Sequence, residues 1–441
     1  MIEELERRLD SFDAAERKAA LEALCEKVRA GEIELPEPGR DVNLHCHTFF
    51  SYNACGYSPS KFAWLARKAG LAVAGVVDFD VLDALEEFHA ARRMLGLKGS
   101  AGMETRVFVP EVADKVINSP GEPGISYHMG VGFPRANLEG EQQTFLENLR
   151  KTAQQRNREL MERVNAHLDP VTLDYEADVL TLTPGGNATE RHMCSAYARK
   201  AKAVFPDEQK LAAFWSEKLG MEVKVSALPE SRELTNAIRA KTMKRGGVGY
   251  VQPGSGSFPH LRPTNEFILA AGAIPTWTWL DGTSDGERDI ESLLDVAMLA
   301  GSAAINVIPD RNYTVGARDE KLNNLYKVIE VAARRNLPIV VGTEMNSPGQ
   351  KFVDDFGTIE LSPLVPILVR SARIVYAHTV LQQQCGLGYM SEWATENFRG
   401  VPEKNKFFQR VGKTLDPQCE DDLAELDENA TPDDVLKVAK R

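Results

Sequence analysis

Asp41-Val-Asn-Leu-His45-Cys-His47-Thr48 is an apolar stretch of strand length that delivers two imidazoles, one residue apart, to its C-terminal end. Side chains at i and i+2 of an extended strand leave the same face, with alpha carbons about 6–7 Å apart, so His45 and His47 could hold one metal ion between them. Two unrelated polar residues at a strand end would look the same. The pair therefore gains meaning only from the residues downstream of it.

Those downstream residues have a rhythm. Apolar, strand-like runs end repeatedly in residues able to bind metal: Val76-Val77-Asp78-Phe79-Asp80, Ala101-Gly102-Met103-Glu104, Ile125-Ser126-Tyr127-His128 and Ile339-Val340-Val341-Gly342-Thr343-Glu344. In barrels of alternating strands and helices the active site lies at the C-terminal strand ends, where residues distant in sequence converge. Convergence of these residues at one point is therefore expected.

The chain has 441 residues, 43% hydrophobic and 26% charged, with a net charge of −12 and both signs interspersed. This is the composition of a globular protein with a large core. Without a basic stripe, a nucleic-acid surface is not expected. The charged start Met1-Ile-Glu-Glu-Leu-Glu-Arg-Arg does not read as a signal peptide, and no apolar run reaches the roughly 20 residues of a membrane span. Cys25, Cys46, Cys55, Cys194, Cys385 and Cys419 are scattered without a C-x-x-C pair, as reduced thiols of a cytoplasmic protein would be.

In order, residues 1–38 read as an N-terminal helix closed by Gly31, and 39–138 as alternating strands and helices, with strands at 42–47, 72–78, 102–109 and 125–133. Residues 139–247 break the alternation with helical spacing, which suggests an insertion capping the strand ends. Alternation resumes over 248–350, with strands expected at 248–251, 273–279, 303–308 and 338–341. The extension 351–441 reads as mostly helical around one more strand, Arg373-Ile-Val-Tyr-Ala377, ending in His378.

These residues resemble the PHP (polymerase and histidinol phosphatase) family, whose opening H-x-H-T-x-x-S stands here as His45-Cys-His47-Thr48-Phe-Phe-Ser51. Ser58-Pro59 and Ala66-Arg-Lys-Ala-Gly70-Leu71 match its next motifs in order. Arg156-Asn-Arg158 and Thr189-Glu-Arg191-His192 are similar to segments of the branch that hydrolyses nucleotide and cyclic phosphates. The resemblance implies an α/β fold, a distorted (β/α)7 barrel with a helical insertion and helical terminal extensions, hydrolysing phosphate esters with up to three metal ions.

By the resemblance, His45, His47, Glu104 and Glu344 would hold the first metal, with Glu344 in place of an Asp, and His128 would serve a second site together with Glu104. Trp279 would stand at the second site's other histidine and line the substrate pocket. Tyr52, Phe79 and Asn346 replace the three ligands of the third metal, so Phe79 is expected to fill that space. Arg191 and His192 would clamp phosphate, and Asp78 or Asp80 would accept a proton.

The expected protein is thus a hydrolase of small phosphorylated molecules with one divalent ion per chain, Zn, Mn or Fe, free of nucleic-acid and membrane partners and compatible with a homo-oligomer. The competing expectations are a degenerate barrel that binds a ligand or partner without catalysis, and metal-assisted hydrolysis of a non-phosphate bond such as C–N.

Overall fold

A computed structural model describes residues 2–312 and 318–441. Seven strands lie side by side in sequence order: β1 (Val42–Cys46), β2 (Val73–Phe79), β3 (Gly99–Phe108), β4 (Ile125–Val131), β5 (Ile274–Thr278), β6 (Ala304–Val307) and β7 (Ile339–Val341). The sheet curls into a nearly closed barrel. Its seam is a single parallel bridge between Cys46 and Glu344, with Glu344 N–H donating to His45 O and His47 N–H donating to Glu344 O, both at 2.8 Å.

Two residues make that seam possible. Gly342 must be glycine, because a Cβ there would lie 2.4 Å from Asn43 Oδ1 and 2.5 Å from His45 N. Asn43, at i−2 from His45, donates to Thr343 Oγ1 at 3.1 Å and to Phe352 O at 2.7 Å, tying β1 to the chain beyond β7. Both contacts fix the first histidine against its neighbour strand.

β4 is the exception among otherwise parallel strands, pairing antiparallel with both β3 and β5. A parallel return needs a crossover of a dozen or more residues, usually a helix. Between Phe108 and Ile125 the described chain makes only a short 3-10 turn, Pro110–Val112, so the strand comes straight back.

Outside the sheet, helices Leu261–Ala270, Ile290–Leu299 and Arg318–Arg334 bury Leu293, Leu294 and Val328 with the outward-facing Trp277 and Trp279 of the β5 segment. The expected strand at 373–377 is instead part of a helix, Val365–Cys385, packed on β1, β2, β3 and β7. Its apolar run misleads because the helix is buried on nearly every side rather than on one stripe. Thr379 Oγ1 meets Ser100 Oγ at 3.1 Å, and His378 abuts Gly132, so this helix closes the barrel end opposite the C-terminal tips of the parallel strands. His378 therefore sits away from those tips.

Two other expectations change. The N-terminal helix is two helices, Ile2–Arg8 and Ala14–Arg29, split where the Asp13 carboxylate caps Ala15 and Glu16 N–H groups. No strand forms at 248–251, where Gly249 N–H instead turns back to Thr242 O.

The chain divides into two compact units, the second comprising 49–52 and 146–254. Its described residues carry helices and no strand, including Glu190–Val204, Glu208–Leu219 and Arg232–Ile238. They have their own core around Val164, Met193, Tyr197 and Trp215.

Burial of neutral histidines sets an acid limit on this fold. Burial pushes His128 and His192 down to about 4 and His378 to about 3. The unfolded chain takes up these protons near pH 6.5 and the folded chain does not, so stability is lost as pH falls below about 6.5. Each group should contribute a slope of about 1.4 kcal/mol per pH unit until its folded value is reached. Urea midpoints measured from pH 7.5 to 4.5 check this; a flat profile would show that the three imidazoles are not buried neutral.

Candidate metal centre

His45 Nε2, His47 Nε2 and a Glu104 carboxylate oxygen converge at the C-terminal strand tips, all within 4.8 Å of one another. His45 Nε2 lies 3.4 Å from His47 Nε2 and 3.6 Å from Glu104 Oε2, and His47 Nε2 lies 3.2 Å from the same oxygen. The period of two on β1 supplies both rings, and Glu104 comes from β3, two strands away. All three are essentially without solvent contact.

Burial and the mutual charges of the trio pull in opposite directions. Burial, the largest influence on Glu104, would raise its carboxyl; the two imidazoles override it and hold it at about 2. Burial likewise pulls His45 down, but Glu104, then Glu344 and Asn306, raise it above the ordinary histidine value. Although the distances are those of an ion pair, Glu104 Oε2 has no partner in hydrogen-bonding geometry. A buried carboxylate oxygen left without a donor costs free energy. Two imidazole nitrogens and one carboxylate are a suitable donor set for Zn, Mn or Fe, and an ion would satisfy that oxygen.

Register decides which other residues face this point. Phe79 pairs with Glu104 across β2 and β3, and its ring stacks on His47 at 4.4 Å between centroids and 27° between planes. The Phe79 ring thus lies flat on one of the three convergent residues. Tyr52 belongs to the second unit, where it stands edge-on to His192.

His128 does not join the trio. It pairs in register with Thr105 and Trp277, on the opposite face from Glu104, and its Nε2 meets Asn265 Oδ1 at 2.6 Å. It is a core histidine under helix Leu261–Ala270. The adjacent Tyr127, one residue earlier, takes the Glu104 side of β4.

Trp279 is corrected in the same way. It is buried among Ile290, Val328 and Glu287 on the outer, helix-covered side rather than lining a pocket at the strand tips. The inward β5 residue at this level is Thr278, paired with Asn306.

Glu344 lies beside the trio without entering it. Its carboxylate accepts from Gln350 Nε2 at 3.1 Å and faces Arg311 Nε at 3.6 Å. Glu344 and Met345 both hold positive φ, 61° and 53°, which side-chain-bearing residues adopt at a cost of about 1–3 kcal/mol each. The seam bridge explains the strain, since the same residue must close the barrel and turn the chain.

Neither aspartate faces the convergence point. Asp78 is buried and takes Thr48 N–H and Thr48 Oγ–H at 2.8 and 2.6 Å, bracing the turn after the histidine pair. Asp80, at φ 59°, accepts from Thr105 Oγ1 at 2.5 Å.

Arg191 and His192 open helix Glu190–Val204 in the second unit. Arg191 donates to Asn236 Oδ1, and His192 Nδ1 accepts the Thr189 N–H in a capping box.

Sequence reasoning missed Asn43, Asn306 and Arg311. A lone amide inside each apolar strand run was the available signal for the first two.

No family model matches the chain, and no curated protein matches its sequence. Among solved structures, an amidohydrolase from Chromobacterium violaceum, determined with bound sulfate and no metal, aligns with TM-score 0.48 and 18% identity, covering 70% of this chain and 88% of that one. A candidate metal-dependent phosphoesterase from Bifidobacterium adolescentis aligns with TM-score 0.47 and 18% identity, covering 76% and 98% of the two chains. Likeness at this level decides nothing about chemistry, which rests on the atoms of the site itself. Among the described residues no helix is long and apolar enough to cross a membrane.

Proposed function

We propose that the chain is a metal-dependent hydrolase of a small phosphorylated molecule, using one divalent ion, Zn, Mn or Fe, held by His45, His47 and Glu104. The observation that carries this reading is the convergence of two imidazole nitrogens on a buried carboxylate oxygen without a hydrogen-bond partner. When bound, such an ion supplies Lewis-acid activation of water and of a phosphoryl group.

The remaining work falls to side chains on the same unit. Phe79 covers one flank of His47, keeping water from that side and holding the ring still. Arg311 keeps 42% of its side-chain surface exposed at the strand tips, and Glu344, ahead of the opposing effect of burial, holds its guanidinium above the ordinary range. A guanidinium beside the ion would receive phosphoryl oxygens in a fork that lysine cannot reproduce. Glu344 and Gln350 would orient that group until substrate arrives. The six unpaired thiols suit a reducing cytoplasm.

The test is elemental analysis of purified protein, then turnover assays on zinc- and manganese-loaded samples with phosphomonoesters, bisphosphonucleotides and N-acyl amino acids. About one ion per chain with phosphate release supports the reading. Turnover of the amide alone moves the chemistry to C–N bonds, and a loaded protein inert to all three leaves a binding barrel.

A further inference from the structure

Asn306 lies behind His45, on β6, and both side chains are fully buried. Its Oδ1 is 3.3 Å from His45 Nδ1, and its Nδ2 donates to Val340 O, also at 3.3 Å. The second contact fixes the first. A flipped amide would set Oδ1 against the Val340 carbonyl, two acceptors with no proton between them. With Oδ1 toward the ring, neutral His45 gains a hydrogen bond only when its proton sits on Nδ1. The Nε2 lone pair is then presented to the point shared with His47 Nε2 and Glu104 Oε2.

Register leaves Asn306 little freedom to do otherwise. It is paired with Thr278 on one side and Val340 on the other, in a four-residue strand with every residue buried. A polar side chain at the centre of Ala304–Val307 has no packing advantage over valine, and its two hydrogen-bonding ends are both used.

We propose that Asn306 is a positioning residue for the metal centre: it locks His45 in the tautomer whose Nε2 faces the ion site. This rests on the metal-centre reading and goes beyond it by naming what orients the first ligand. Outer partners of this kind, when removed, typically cost about 10–100-fold in metal affinity.

The experiment uses the full chain, stripped of metal, with long-range proton–nitrogen NMR of the histidine rings at about pH 9, well above the ordinary histidine range. Wild-type His45 should be protonated at Nδ1 and bare at Nε2. Asn306→Asp, which keeps an acceptor, should retain that tautomer and bind zinc at least as tightly by calorimetry. Asn306→Leu should shift His45 toward the Nε2-protonated form and lose zinc affinity about 10–100-fold. Should the leucine variant fail to fold, the wild-type and Asn306→Asp spectra still decide. An Nε2-protonated His45 in the wild type, or an Asn306→Leu protein with unchanged tautomer and unchanged zinc affinity, overturns the assignment. Wild-type protein with the expected tautomer, lost in the leucine variant, but no zinc uptake supports the tautomer lock by Asn306 and overturns the metal-centre reading on which its positioning role rests.

Discussion

Glu104→Gln is expected to abolish high-affinity zinc binding while leaving the metal-free fold at least as stable as the wild type. The loss should exceed the roughly 10–100-fold that outer partners contribute, because a ligand atom itself is replaced. The gain follows from the same geometry. Glu104 Oε2 is buried without a hydrogen-bond partner and lies 3.2 and 3.6 Å from two ring nitrogens. An amide nitrogen placed there would donate to a bare Nε2, replacing an oxygen without a donor by a paired group. Thermal denaturation with and without zinc reads both effects. Wild-type protein should be stabilised by about 2.7 kcal/mol at zinc a hundredfold above Kd, and the variant should not respond. A variant that melts well below the wild type without metal, or keeps its zinc response, would show that Glu104 is a structural ion-pair partner.

The second large effect lies in the C-terminal extension. Arg92 Nη1 donates to Glu420 Oε1 at 2.7 Å, and Tyr376 O–H donates to the same oxygen at 2.6 Å, with both charged groups almost wholly buried. Arg92 also donates to His89 Nδ1 and Gln383 Oε1. This pair ties the segment Pro417–Glu425 to helix Leu85–Met94, so it fastens the C-terminal extension to the barrel. Removing one partner of a buried pair leaves the other charge uncompensated and costs about 3–5 kcal/mol. Glu420→Ala should therefore lower the urea-derived stability by that amount with zinc affinity unchanged. An Arg92→Met, Glu420→Leu double variant should recover much of the loss, since two apolar side chains leave no orphan charge. A single-variant loss under about 1 kcal/mol would mean water reaches the pair.

The period of two in His45-x-His47 and the strand ending at Glu104 are readable because strand geometry depends only on local alternation. The barrel's strand positions are readable for the same reason. Register is not. Placing His128 and Trp279 at the site requires each to face inward, and a shift of one residue puts a side chain on the other face. Tyr127 and Thr278 are the inward neighbours. The helix Val365–Cys385 reads as a strand because an apolar run buried on all sides carries no amphipathic stripe to reveal its period.

The sequence by itself determined the strand-end pair of histidines, an alternating α/β pattern that places every observed strand together with two, at 248–251 and 373–377, that do not form, and the helical character of the second unit. Each follows from composition and spacing over a few residues. Only the tertiary structure decided that His45, His47 and Glu104 meet while His128 turns away. It alone set Glu344 against Arg311 and Gln350, and put Asn306 behind His45. Those choices depend on strand pairing, on the antiparallel return of β4 and on a seam that Gly342 allows to close. Most of these relations join residues tens to hundreds of positions apart.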